Sequence, residues 1–71
     1  MRVLIIEDEE QAARRIESLV KELVPGVMVL DKIDSVKRAV EWFTKHVAPD
    51  LVLMDIQLAD GISFQIFEQC K

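Results

Sequence analysis

Two apolar runs in this chain end on carboxylates. Arg2-Val3-Leu4-Ile5-Ile6 gives way to Glu7-Asp8-Glu9-Glu10, and Leu51-Val52-Leu53-Met54 closes on Asp55. If both runs are strands lying side by side, Glu7, Asp8 and Asp55 meet at one sheet edge, and anions crowded together need a cation. An oxygen-only ligand set on a partly hydrated site suits Mg²⁺, with Mn²⁺ as a substitute, and the lack of nearby Cys or His argues against zinc. Asp8 is the better side-chain ligand and Glu7 a direct or water-mediated second. Asp55, itself beside the cation, is placed to act as a nucleophile toward phosphorus. That chemistry depends on positioning and on neutralising the charge between a carboxylate and phosphoryl oxygens.

The elements that must position these groups can be read from periodicity. The first run is short and β-branched, as expected of a strand buried on both faces. From Gln11 to about Val24, Ala12, Ile16, Leu19, Val20 and Leu23 share one helical face, and Pro25-Gly26 stops the helix. Val27-Met28-Val29-Leu30 resumes the strand pattern, with Asp31 and Lys32 interrupting before Ile33, which suits an edge strand with one wetter face. Asp34-Ser35 offers N-cap oxygens to a second helix whose buried stripe is Val36, Ala39, Val40 and Phe43, with Trp42 half exposed beside it. That helix is expected to end near His46, before Pro49. Leu51 to Met54 reads as a central parallel strand. Asp60-Gly61 marks a turn, after which Ile62, Ile66 and Cys70 can share the face of a third helix flanked by Phe64 and Phe67.

The order βαβαβα, with helix-length crossovers, calls for an α/β fold with an open parallel sheet and right-handed connections rather than hairpins. The expected strand order is 2-1-3, the beginning of a doubly wound, flavodoxin-like sheet. It sets the first and third strands side by side and brings the three carboxylates to the carboxyl-end crevice.

Composition bounds the rest. Seventy-one residues make one small domain, with 51% hydrophobic and 31% charged residues, a globular balance. A net charge of −4 and nine scattered Lys and Arg residues argue against direct nucleic-acid binding. Cys70 is the only cysteine, so no intrachain disulfide is expected. No run has the length of a membrane span or the pattern of a signal peptide, so the expected compartment is the cytoplasm.

The segments Val3-Leu4-Ile5-Ile6-Glu7-Asp8-Glu9 and Leu51-Val52-Leu53-Met54-Asp55-Ile56-Gln57-Leu58-Ala59-Asp60-Gly61 resemble the acidic-pair and phosphoacceptor motifs of two-component response-regulator receiver domains. The likeness spans essentially the whole chain, and the Asp-Ile-Gln-Leu-Ala-Asp-Gly segment is most similar to receivers joined to LytTR-type DNA-binding output domains. It implies a phosphoryl group passed from a sensor histidine kinase to Asp55 with Mg²⁺, and a further metal oxygen from the backbone carbonyl of Gln57. It also implies a transcription regulator whose DNA contacts belong to an output domain absent from this chain.

Receivers of this kind continue through two further strand-helix units bearing a switch Ser or Thr, a phosphate-pairing Lys and a switch aromatic. The expectation is therefore a receiver truncated after its third helix, binding metal but phosphorylated slowly or undetectably. Neither Lys45 nor Lys71 follows a strand in the required place, and Thr44 lies within a helix. An uncovered edge on the third strand, with the apolar third helix, suggests a homodimer.

Other readings stand beside these. Glu7 to Glu10 also suits a solvated helix entrance, and a lone Asp after a strand is often a loop cap. His46 fits a helix-end cation rather than a ligand. A pseudo-receiver would keep the fold and serve only as a protein-interaction module. An aspartate-nucleophile phosphohydrolase would carry a second acidic residue two positions after the nucleophile, where this chain has Gln57.

Overall fold

The computed structural model describes residues 1–55, 57–58, 60–62 and 64–69, and their side chains other than those of Gln57, Phe64, Phe67 and Gln69. Cys70 lies outside the described residues, as do the side chains of Phe64 and Phe67. β1 (Arg2–Ile6) is the middle strand of a three-stranded parallel sheet, with β2 (Met28–Ile33) on one side and β3 (Leu51–Met54) on the other. The expected order 2-1-3 is therefore the observed one. Val3 through Ile6 are completely buried, which is why the run is continuously apolar rather than alternating.

Successive β1 side chains point to opposite faces and seed two cores. Val3 and Ile5 pack with Ala13 of α1 (Glu10–Leu23), with Ile16, Val20 and Leu53 around them. Leu4 and Ile6 join Ile33, Leu58, Val36, Ala39 and Trp42 of α2 (Val36–Lys45), and Ile66 of α3 (Phe64–Gln69). Helices thus cover both faces of the sheet. Each fully buried aliphatic side chain contributes about 1.5–3 kcal/mol.

The helical stripes are rotated from those the sequence predicts. On α1, Leu19 and Leu23 are 56% and 75% exposed, and the contact row is Ala13, Ile16 and Val20. Three strands cover one such row and leave the rest of the apolar face in solvent. On α2, Trp42 is buried rather than half exposed, while Val40 and Phe43 are only partly covered. The indole joins the Ile33 cluster, meets Phe43 edge-on at 5.4 Å and stacks on His46 at 4.5 Å.

β2 runs unbroken through Asp31 and Lys32 because an irregularity in its pairing, between Val3–Val29 and Leu4–Asp31, absorbs Leu30 as an extra residue. It remains an edge strand, as expected, but β3, which the sequence predicts as a central strand, is the other edge of this sheet, with Leu51 exposed and Val52 to Met54 half-buried. The expectation of a sheet without hairpins holds for the main sheet only. β4 (Gln57–Leu58) and β5 (Gly61–Ile62) form an antiparallel ribbon around the predicted Asp60-Gly61 turn. Ile62 consequently belongs to this ribbon, half exposed, and not to the third helix, which begins at Phe64.

The helix ends follow their local chemistry. Gly26 adopts φ +82° after α1. Ser35 Oγ accepts a hydrogen bond from the Arg38 amide at 3.1 Å, while Asp34 pairs with the Arg38 side chain at the surface. At the other end of α2, where the sequence places the helix end, the His46 amide and its Nδ1–H both donate to the Trp42 carbonyl. Among the described residues no helix is long and apolar enough to cross a membrane.

Candidate metal centre

Two backbone hydrogen bonds bring the acidic residues together. The Glu7 amide donates to the Ile33 carbonyl at 2.8 Å, and the Asp55 amide donates to the Ile6 carbonyl at 3.0 Å. The parallel ladders therefore extend one residue beyond β1 and β3, and both chains leave the sheet at the same edge. One carboxylate oxygen from each of Glu7, Asp8 and Asp55 lies within 4.8 Å of the other two. Among the described residues these are the only His, Cys, Asp or Glu side chains grouped closely enough for a metal ion. The adjacency predicted from strand order thus has a side-chain counterpart.

The triad concentrates negative charge. Burial, first of all, raises the Glu7 carboxyl above its usual range, helped by a hydrogen bond with Asp8 and by the negative charges of Asp55 and Asp8. The Glu9 amide, donating to Glu7 Oε1 at 3.2 Å, opposes the shift in part. Beside the triad is an open cleft of about 300 Å³, lined by Glu7, Asp8, Glu10, Ala13, Arg14, Lys32 and Asp34. Its cations are engaged elsewhere: Arg14 with Glu10 at 2.7 Å, and Lys32 with Glu17 at 2.9 Å. Among the described residues no basic side chain forms an ion pair with the triad.

The donor set fits a hard divalent cation. Three carboxylates with solvent access offer oxygen and no sulfur or imidazole, a set that could hold a metal ion. Asp8 is exposed and Glu7 half-buried, so the pair can combine one mobile ligand with one held by the Glu9 amide. Gln57 heads β4, two residues beyond Asp55, and its side chain lies outside the described residues.

Sequence reasoning missed the role of Asp60. It read this residue as part of a turn, yet its carboxylate accepts hydrogen bonds from the Val36 amide at 2.7 Å and the Lys37 amide at 3.1 Å. Those amides hold its carboxyl below the usual carboxylate range. Local sequence carries no signal for the contact because donor and acceptor are 24 positions apart. Comparison of the chain with protein-family profiles, curated proteins and solved structures finds no match.

Proposed function

We propose that this chain is the N-terminal part of a receiver module of a two-component response regulator, with a partial flavodoxin-like sheet and Asp55 as phosphoacceptor. The observation that carries the reading is the convergence of Glu7, Asp8 and Asp55 at the carboxyl end of two adjacent parallel strands. A solvated helix entrance accounts for Glu7 and Asp8 but not for Asp55 on a different strand. In this reading Asp8, Glu7 and Asp55 hold Mg²⁺, and the Gln57 carbonyl adds a further oxygen.

When bound, Mg²⁺ supplies positive charge against the repulsion between a carboxylate and phosphoryl oxygens. An Asp55 oxygen forms the new bond to phosphorus while the bond from phosphorus to the histidine-kinase imidazole nitrogen breaks, its electron pair leaving with the nitrogen. The Asp55–Ile6 hydrogen bond fixes the backbone of the attacking residue during this exchange. DNA contacts, in this reading, belong to an output domain outside these residues.

A homodimer through β3 is part of the proposal. Leu51 to Met54 carry no charge, proline or bulge, whereas the β2 edge has Asp31, Lys32 and an irregular pairing that discourage strand addition. A monomeric mass by light scattering at tens of micromolar contradicts the dimer.

The phosphoacceptor role is tested with acetyl phosphate and Mg²⁺, followed by mapping of acid-stable, aspartate-linked phosphate trapped as its borohydride-reduced product. The test uses this chain and a fusion to two further receiver strand-helix units. Modification at Asp55 of the fusion, lost in Asp55→Asn, is expected. Modification at another carboxylate contradicts the assignment.

A further inference from the structure

Asp60 does more than end a turn. Its carboxylate binds two of the amides that a helix start leaves without partners, those of Val36 and Lys37, while Ser35 Oγ takes the amide of Arg38. Described residues on either side of it pack against the same helix start. Leu58, on β4, is 4% exposed and packs in the same core as Val36 and Ile66. A Cβ on Gly61 would lie 3.6 Å from Val36 Cγ2, so the glycine backbone runs close against the first turn of α2.

These contacts close a ring that passes through Glu7 and Asp55. From Asp55 the chain passes through β4 to Asp60, which holds the start of α2. Three residues before that start is the end of β2, where the Ile33 carbonyl accepts from the Glu7 amide. Ile6 precedes Glu7, and its carbonyl accepts from the Asp55 amide. Every link is a chain segment or a hydrogen bond of 3.1 Å or less.

We infer that Asp60 is a positioning residue for the acidic site, closing a hydrogen-bonded ring that holds Asp55 and the Gln57 backbone in place relative to Glu7. The role in cation binding rests on the metal-site reading above, whereas the ring itself does not. Without the Asp60 link, the ribbon keeps its apolar contacts with α2 through Leu58 but loses its hydrogen bonds to it, and the segment after Asp55 gains freedom that a bound cation must remove.

The test compares Asp60→Ala, Asp60→Asn and Ser35→Ala in the full chain, by amide hydrogen exchange and by Mn²⁺ titration followed by electron paramagnetic resonance. In Asp60→Ala, exchange accelerates at Val36 and Lys37 and also at Asp55 and Glu7, and Mn²⁺ binding weakens by about tenfold, the lower range for losing an outer-shell partner. Asp60→Asn keeps one acceptor oxygen of the two and turns an NH2 donor toward the other amide, so it gives a smaller change of the same sign in both. Ser35→Ala frays α2 at Arg38 without changing Mn²⁺ affinity.

Fraying of α2 in Asp60→Ala with wild-type exchange at Asp55 overturns the inference and leaves Asp60 a helix cap. If Asp60→Ala does not fold, the same comparison is made between Asp60→Asn and Ser35→Ala. A wild-type chain that binds no Mn²⁺ removes the metal-site reading, and exchange at Asp55 then decides the ring alone.

Discussion

Removing a charge from the acidic cluster is expected to stabilise the metal-free protein. Asp55→Asn is nearly isosteric and takes one anion away from two others whose oxygens lie within 4.8 Å. At that outer limit each pair of unit charges repels by about 0.9 kcal/mol in water, roughly halved by screening at physiological salt. The aqueous value is the appropriate one because the site is open to solvent. Two relieved pairs give about 1 kcal/mol at pH 7, equivalent to a rise in Tm of about 4–8 °C for a domain of this size.

The assay is thermal unfolding followed by far-ultraviolet circular dichroism, with fluorescence of the sole tryptophan, Trp42, as a second probe. In EDTA, Asp55→Asn melts above wild type, and the gain shrinks in high salt. With saturating Mg²⁺ the order reverses, because wild type gains binding free energy that the variant has lost. A variant less stable than wild type in EDTA, with Mg²⁺ changing neither protein, refutes the reasoning.

Other perturbations reach the framework around the site. Trp42→Ala empties a core position that is 8% exposed and removes the contacts with Phe43 and His46, so it costs about 3–5 kcal/mol, comparable with the whole stability of a chain this short. Loss of the cooperative urea transition checks it. Gly61→Ala introduces a Cβ that meets Gln65 Oε1, at a φ of +152° unfavourable to side chains, and destabilises by about 1–2 kcal/mol; adding Gln65→Ala relieves the contact but not the backbone strain. Asp60 has a lowered folded pKa, so its contribution to stability is complete above the usual carboxylate range and is lost as pH falls through the folded value. Asp60→Asn therefore flattens that part of the acid limb in urea melts recorded across pH. Glu17, lowered by Lys32 and then Lys21, has the same sign, and Lys32→Met changes stability by no more than about 1 kcal/mol, less in high salt.

The parts of the fold legible in the sequence are those set by a single strand or helix and its period. Val3 to Ile6 could be read as a strand buried on both faces because such burial demands continuous apolar side chains; the helix-length crossovers then required parallel strands, and the order 2-1-3 was taken from the flavodoxin-like pattern. The Glu7, Asp8 and Asp55 convergence followed from that order alone. What escaped depends on how much sheet lies beneath a helix. Leu19 and Leu23 belong to an apolar stripe on α1 of which the Ala13, Ile16 and Val20 row packs on the sheet, and on α2 it is Trp42 rather than Val40 that is buried in the core. The β4–β5 ribbon has two residues per strand, too few for an alternation to register, and the reach of Asp60 to α2 is a tertiary contact without a local signature.

The central claim is that Glu7, Asp8 and Asp55 form a divalent-cation site, and calorimetric titration of Mg²⁺ into wild-type chain and Asp8→Asn at pH 7 tests it most directly. One site is expected in wild type, with affinity reduced by more than about tenfold in the variant, since loss of even an outer-shell partner has an effect of that size. Equal binding by the two proteins, or no binding by wild type, contradicts the account.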